Sequence, residues 1–275
     1  MKNSKVYLLM ARWKHRFSYN FNLWKTIYVN FVFLPFKQAI YLPIFVYGRV
    51  KIYDHSGTIV IEDRIRTGMI HFGRNTDKFS ASKGSALINI TGKLIFKGTV
   101  LFSCDNTLHI VGECIIGKYS FFGNGVKIYC VNKISLGECC RVTLECQIFD
   151  TNFHYMRNVE TGQIDRRDKM VIVGNYCWVG YRTTLARGTQ LPDYSIVSSN
   201  SLVNKDFISS DVKYPLLAGI PAKIISSMRV RVFDRIEEEK INHFFINNPT
   251  ALYYMSGQTG RKDEEKGHEY FFSRL

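Results

Sequence analysis

The chain has 275 residues, 46 % hydrophobic and 22 % charged, which is enough apolar content for one large or two ordinary domains and excludes a disordered chain. Seven cysteines is an odd number, and without a signal peptide the sequence does not read as a disulfide-stapled secreted protein. The net charge of +14 is front-loaded: residues 1–53 carry nine Lys or Arg and no Asp or Glu, 54–226 balance at +5, and 227–275 balance at zero.

In chain order, the apolar run Val6–Ala11 is too short for a signal-peptide core. The basic residues after it are interleaved with Trp13, Phe17, Phe21, Trp24 and Tyr28. From Thr26 to Gly48 the chain is apolar, but Lys37 cuts it into two uncharged runs of eleven residues, interrupted by Pro35 and Pro43. A bilayer needs roughly 20. Basic charge beside a long apolar stretch points to an anionic membrane surface, reached peripherally through residues 1–53, or to a packed subunit contact, rather than to nucleic acid. Residues 1–56 are expected to form a cap over the N-terminal end of the domain that begins at residue 57, ending in the strand-like Ile44–Tyr53.

An internal repeat decides the fold. Apolar residues recur every sixth position at Val173, Val179, Leu185, Leu191, Val197 and Val203, each followed by a mostly small residue such as Gly174, Gly180 or Ala186. Four places after each comes Cys177, Thr183, Thr189, Ser195 or Ser201, with Phe207 breaking the rule. A period of six fits neither a helix nor a simple alternating strand. It fits a triangular coil in which each hexad is one short strand and a corner, the apolar residue pointing inward. Upstream, Ile116, Phe122 and Ile128 keep the beat, and after two extra residues Leu136, Val142 and Ile148 resume it. Ile90, Phe96, Phe102 and Leu108 keep it less cleanly, and Ile59 and Ile65 are its first trace. Cys114, Cys140, Cys146 and Cys177 fall on the small-residue position, and paired zinc-ligand spacings are missing, so no metal is expected.

On these hexads, on Val-Gly-Asn-Tyr-Cys-Trp-Val-Gly (173–180), Asn204-Lys205-Asp206 and Leu-Ala-Gly-Ile-Pro-Ala-Lys-Ile (217–224), and on Phe149-Asp-Thr-Asn-Phe-His154, the sequence resembles the hexapeptide-repeat acyltransferases. The resemblance covers residues 110–226, with a weaker extension to about residue 57. It implies an all-β left-handed parallel β-helix over 57–226, a homotrimer, and acyl transfer from acetyl-CoA to a sugar hydroxyl in cell-surface polysaccharide biosynthesis. The setting it implies is cytoplasmic, and the basic aromatic front end suits a lipid-linked carbohydrate acceptor at the inner membrane face. Two departures bear on the acceptor more than the donor: Ser198-Ser199-Asn200-Ser201 replaces a Gly-Ala-Gly-Ser corner, and Tyr155 comes after the histidine where relatives have proline.

The beat reaches His154, stops, and resumes at Val173, so Tyr155–Ile172 must leave the coil as a charged excursion loop. An imidazole suits the proton removal that an attacking hydroxyl needs near neutrality. His154 is therefore the candidate general base, with Asp150 and Asn152 as candidates to orient its ring. By the resemblance, the amides around Gly180 and Tyr181 hold the oxyanion. Lys205 and Lys223 occupy basic CoA positions, Arg182 and Arg187 lie on the same stretch, and Tyr181, Ser199 and Asn204 match further CoA-lining positions. Trp178 reads as structural with a CoA role. The other histidines (His15, His55, His71, His109, His243, His268) read as structural.

Beyond Pro221, Met228–Asn247 reads as a helix that caps the far end of the coil or reaches a neighbouring subunit, and Gln258–His268 as a mobile tail. Rival functions are N-acylation of a nucleotide-linked amino sugar, a non-catalytic trimeric scaffold, and a zinc hydratase. The last needs three converging histidines, and between residues 100 and 230 there are only His109 and His154.

Overall fold

The computed structural model describes residues 20–76, 85–256 and 272. The run Val6–Ala11, Trp13, Phe17, His15 and the segment Gln258–His268 lie outside the described residues. The chain divides into two units, Met1–Arg229 and Val230–Leu275. Among the described residues, no helix is long and apolar enough to cross a membrane.

The first unit is a three-faced parallel β-helix. Face one runs from Ile44–Val46 to Ala222–Ser226 in nine strands, face two from Arg49–Asp54 to Leu202–Val203 in seven, and face three from Thr58–Ile61 to Gln190–Leu191 in six. Pairing is parallel between successive turns throughout, except that the last strand, Ala222–Ser226, folds back antiparallel onto Leu216–Gly219. The six hexad residues from Val173 to Val203 all point inward and are at most 2 % exposed.

Turn length changes along the coil. Ile88, Leu108, Ile128 and Ile148 stack one above another, a rise of twenty residues per turn. After the excursion the offset falls to eighteen, as in Leu185 over Val203 and Val179 over Val197. The two extra residues sit at the corner between faces two and three, where Ile90, Ile110 and Cys130 form an additional inward column. The upstream beat Ile90, Phe96, Phe102 and Leu108 is inward throughout, and face two also carries an inward column at Ile88, which pairs with Leu108. At the first trace, Ile59 and Ile61 are buried and pair with Leu94 and Phe96, whereas Ile65 is only half-buried. The longer turns enclose more volume, and it is filled by Phe72, Phe102 and Phe122, stacked with centroids 5.0 and 4.4 Å apart. In the shorter turns the same column narrows to Val179 and Val197.

The coil also starts earlier than residue 57. Ile44–Val46 pairs with Ile70–Phe72, and Arg49–Asp54 pairs with Ser85–Ile90, so both are first-turn strands. The covering element is the helical pair α1 (Leu23–Phe33) and α2 (Phe36–Ala39). Buried side chains of α1 satisfy the edge strand beneath: Asn30 Nδ2 donates to the Ile44 carbonyl at 2.7 Å and Asn30 Oδ1 accepts from the Ile44 amide at 3.1 Å. Thr26 Oγ1 accepts from the Val46 amide at 3.0 Å. An open sheet edge is thereby closed by polar side chains of an otherwise apolar helix.

In the second unit the helix α3 spans Arg235–Asn247, beginning seven residues later than Met228. Asp234 sets the start, its carboxylate accepting from the amides of Ile236 and Glu237. Phe244 packs edge-on against Phe245 and Tyr254.

All seven cysteines are free and buried. Cys140, Cys146 and Cys177 sit at corners and donate to the carbonyls of Gly174, Gly180 and Pro192 at 3.1, 3.0 and 3.3 Å. Cys114 instead lies within a strand, between Leu94 and Ile134. Burial pushes the Cys139 thiol up to about 12 and raises Cys146. Since only thiolates react readily, a thiol reagent at mildly alkaline pH should label fewer than one site in the folded chain and all seven after denaturation. At the wide corner, a Cβ on Gly112 would lie 2.1 Å from the Asn132 carbonyl oxygen. Gly112→Ala should therefore lower stability by about 1–3 kcal/mol in urea unfolding, because backbone of the next turn must move.

Candidate functional site

The corner between faces two and three is where the chain leaves the coil. Two turns down, the amides of Thr91 and Gly92 both donate to the Ile110 carbonyl, and the amides of Val111 and Gly112 both donate to the Cys130 carbonyl. The next pair, Val131 and Asn132, has no such carbonyl above it, because the chain departs there and the Asp150 carbonyl accepts from Lys169 instead, at 2.8 Å. The Asp150 carboxylate takes over: Oδ1 accepts from the Val131 amide at 2.8 Å and Oδ2 from the Asn132 amide at 2.7 Å. Asp150 is fully buried. Its carboxylate is thus held in the backbone of the corner, a structural position rather than one facing the His154 ring.

The excursion runs from Thr151 to Met170, not Tyr155–Ile172, because His154 has already left the inward column and Val171 and Ile172 are back on face three beside Ile134 and Ser135. It is tied at its neck. Thr151 bridges Asp168, Arg157 bridges Ile164, and the Asn152 amide donates to the Arg167 carbonyl at 2.8 Å. Asn132 reaches up from the turn below to donate to Asp168 at 2.7 Å, and Arg166 pairs with Asp168 at 2.9 Å. Asn132 and Asp168 are residues that sequence reasoning misses; their signal is the spacing to Asp150 and Lys169 once the coil register is known.

His154 lies just past this neck, exposed. Its amide donates to the Asn152 carbonyl at 2.7 Å, and Phe153 beside it, at φ +63°, packs edge-on against Tyr129 on face two. Among the described residues the imidazole makes no hydrogen bond, so it is open to an incoming group. Asn152 is half-buried and holds the His154 backbone, not its ring.

The candidate CoA residues divide between corners. Arg187 and Lys205 share the corner of the excursion: Arg187 Nη1 donates to the Arg166 carbonyl at 3.4 Å, and the Lys205 carbonyl accepts from Gln190. Asn204 and Lys205 are exposed, with the Lys205 ammonium 5.0 Å from the Phe207 ring centroid. Gly180, Tyr181, Arg182 and Ser199 lie at the corner between faces one and two, one strand away. There Arg182 Nε donates to Glu145 at 2.7 Å and the Tyr181 hydroxyl to the same carboxylate at 3.3 Å. The guanidinium holds the Glu145 carboxyl below the usual range. Gly180 is needed because the next turn passes close, a Cβ there meeting the Ser199 amide at 2.6 Å. Its own amide already donates to the Val197 carbonyl, so of the two oxyanion candidates the Tyr181 amide remains. Trp178 is half-buried on face one and stacked in register with Arg141 and Ile196. Lys223 is exposed on the final hairpin, opposite Ala218. Among the described residues, no group of three His, Cys, Asp or Glu side chains is placed to hold a metal ion.

No family model matches the chain. A stretch of 83 residues, 30 % of this chain, is 33 % identical to the polysialic acid O-acetyltransferase of Neisseria meningitidis, and it spans 39 % of that protein's length. Among solved structures the chain is similar to the polySia-specific acetyltransferase NeuO, at 17 % identity and a TM-score of 0.44, over 76 % of this chain and 99 % of that one. It is also similar to the polysialic acid O-acetyltransferase OatWY at 18 % and 0.39, covering 72 % and 97 %, and to AntD, an N-acyltransferase from Bacillus cereus, at 13 % and 0.38, covering 74 % and 89 %.

The capping role of Asp150 is open to measurement. Asp150→Asn keeps one acceptor oxygen and turns an NH2 group toward the second buried amide. Stability should fall by about 1–3 kcal/mol in urea unfolding, with faster proteolysis of the excursion loop.

Proposed function

We propose that this protein is an acyl-CoA-dependent O-acyltransferase, transferring an acetyl group to a hydroxyl of a cell-surface glycan, with His154 as general base. The observation that carries the reading is the departure of the chain at Asp150, which projects an open imidazole beside a basic corner of the coil. The 83-residue likeness to a protein named for polysialic acid O-acetylation supports the same chemistry and a glycan acceptor.

In this reading the His154 ring takes the proton from the sugar hydroxyl as its oxygen attacks the thioester carbonyl. The new C–O bond forms, the Tyr181 amide stabilises the oxyanion, and the C–S bond then breaks. His154 returns the proton to the departing thiolate, so no acyl-enzyme is needed. Lys205 and Lys223 are exposed cations suited to the phosphates of the donor. Arg182 contributes less, because Glu145 already pairs with it.

The split of candidate residues over two corners supports a homotrimer. A rigid three-faced coil cannot bring its own corners together, whereas a neighbouring copy can set its Tyr181 corner against the His154 corner of this one. The cytoplasm, where acetyl-CoA is made, is the setting this chemistry requires.

Thiol release from acetyl-CoA with a panel of oligosaccharides and nucleotide-linked amino sugars tests the reading. His154→Ala should lower kcat by about 100- to 10,000-fold while leaving the thermal midpoint unchanged, since the ring is exposed. Undiminished turnover in that variant would remove the base assignment, and turnover with amino sugars alone would make it an N-acyltransferase. If the native chain acts on no acceptor at all, the scaffold reading takes its place.

A further inference from the structure

The cap helix α1 is apolar on two opposite sides. One side, Thr26, Val29, Asn30 and Phe33, is buried against the first turn of the coil. The other carries Trp24, Tyr28 and Phe31, which are 81, 41 and 45 % exposed. The apolar surface continues into α2 and the residues after it, where Phe36, Ile40 and Tyr41 are 71, 51 and 56 % exposed. Phe31 and Phe36 touch edge to face at 5.9 Å, joining the two helices into one patch. With its other side already buried against the coil, an exposed aromatic patch of this extent marks an interaction site.

The charge around the patch selects the partner. Lys25 and Lys37 lie among the exposed aromatics, and the first 53 residues hold nine basic and no acidic side chains. A second copy of the same face would oppose like charges with no carboxylate to meet them. An anionic bilayer offers both what the aromatics and what the lysines need: Trp and Tyr settle at the headgroup level, and each basic residue near the surface adds attraction to acidic lipid. We propose that the exposed face of α1 and α2 docks this protein peripherally on an anionic membrane surface, lying in the headgroup layer without crossing it. The inference does not depend on the acyl-transfer reading. It places the capped end of the coil at the lipid, and the candidate acceptor site several turns along the coil axis from it.

Flotation of the full chain with phosphatidylglycerol–phosphatidylcholine vesicles, against phosphatidylcholine alone, tests the proposal. The native chain should float with the anionic vesicles and be released by high salt. A Trp24→Ala, Phe36→Ala, Tyr41→Ala variant should partition at least about tenfold more weakly. Lys25→Glu with Lys37→Glu should weaken binding to anionic vesicles and leave the low binding to neutral ones unchanged. Thermal unfolding monitored by circular dichroism should match the native chain in both variants, because none of the substituted side chains is buried. The proposal is overturned if the native chain stays with the soluble fraction, or if the aromatic variant floats like the native one. It is also overturned if the aromatic variant reduces the mass of the native assembly in sedimentation, which would assign the face to a second copy.

Discussion

Everything in the coil depends on backbone amides of one turn finding acceptors in the next. A strand within a sheet meets this automatically, but a corner does not, and a chain that leaves the coil removes the carbonyls on which the corner below relies. The wide corner solves the problem in two ways. While the coil continues, one carbonyl serves two amides, as at Ile110 and Cys130. Where it breaks, a buried carboxylate replaces that carbonyl with two oxygens of its own at Asp150. Leaving two buried amides unpaired would cost several kcal/mol in sum, so the loop that presents His154 can exist only on top of this cap.

The same geometry sets how far the fold was legible in the sequence. From Val173 to Val203 the turn has three equal hexads, and counting by six finds each inward residue. Upstream, the two-residue extension adds a second inward column, Ile90, Ile110 and Cys130. Counting by six from Ile90 through Phe96 and Phe102 to Leu108 meets inward residues throughout, but it passes over Ile88 in the parallel column. The strands at Ile44–Val46 and Arg49–Asp54 escape the hexad reading because the first turns carry long corners and the helix α1 interrupts the pattern before them.

The site was legible only in part, for a reason of distance along the chain. The break in the coil is a local event that the lost beat reveals, although the chain leaves at Asp150, four residues before His154. The contacts that shape the loop come from one turn away: the Val131 and Asn132 amides reach Asp150, and the Asn132 side chain meets Asp168, 36 residues further on. No short-range pattern marks a pair at that separation. Asp150 resembles a ring partner in sequence because it is four residues from His154, whereas the turn beneath it claims its carboxylate.

The excursion also falls where the coil changes width. The turns just below it are twenty residues long, with Phe102 and Phe122 stacked inside; the turn above it is eighteen, with valine and leucine inside. The loop is the wide corner's extension grown to its limit, and the turn after it has Ala186-Arg187-Gly188 in place of the longer corner, with the Lys169 chain packed against Gly188. Shortening that corner leaves Arg187 and Lys205 at the same corner as the loop, with Arg187 donating to the Arg166 carbonyl. The loop is thus placed by the change of period in the core, and in the proposed mechanism it carries the base for which the inward columns have no room.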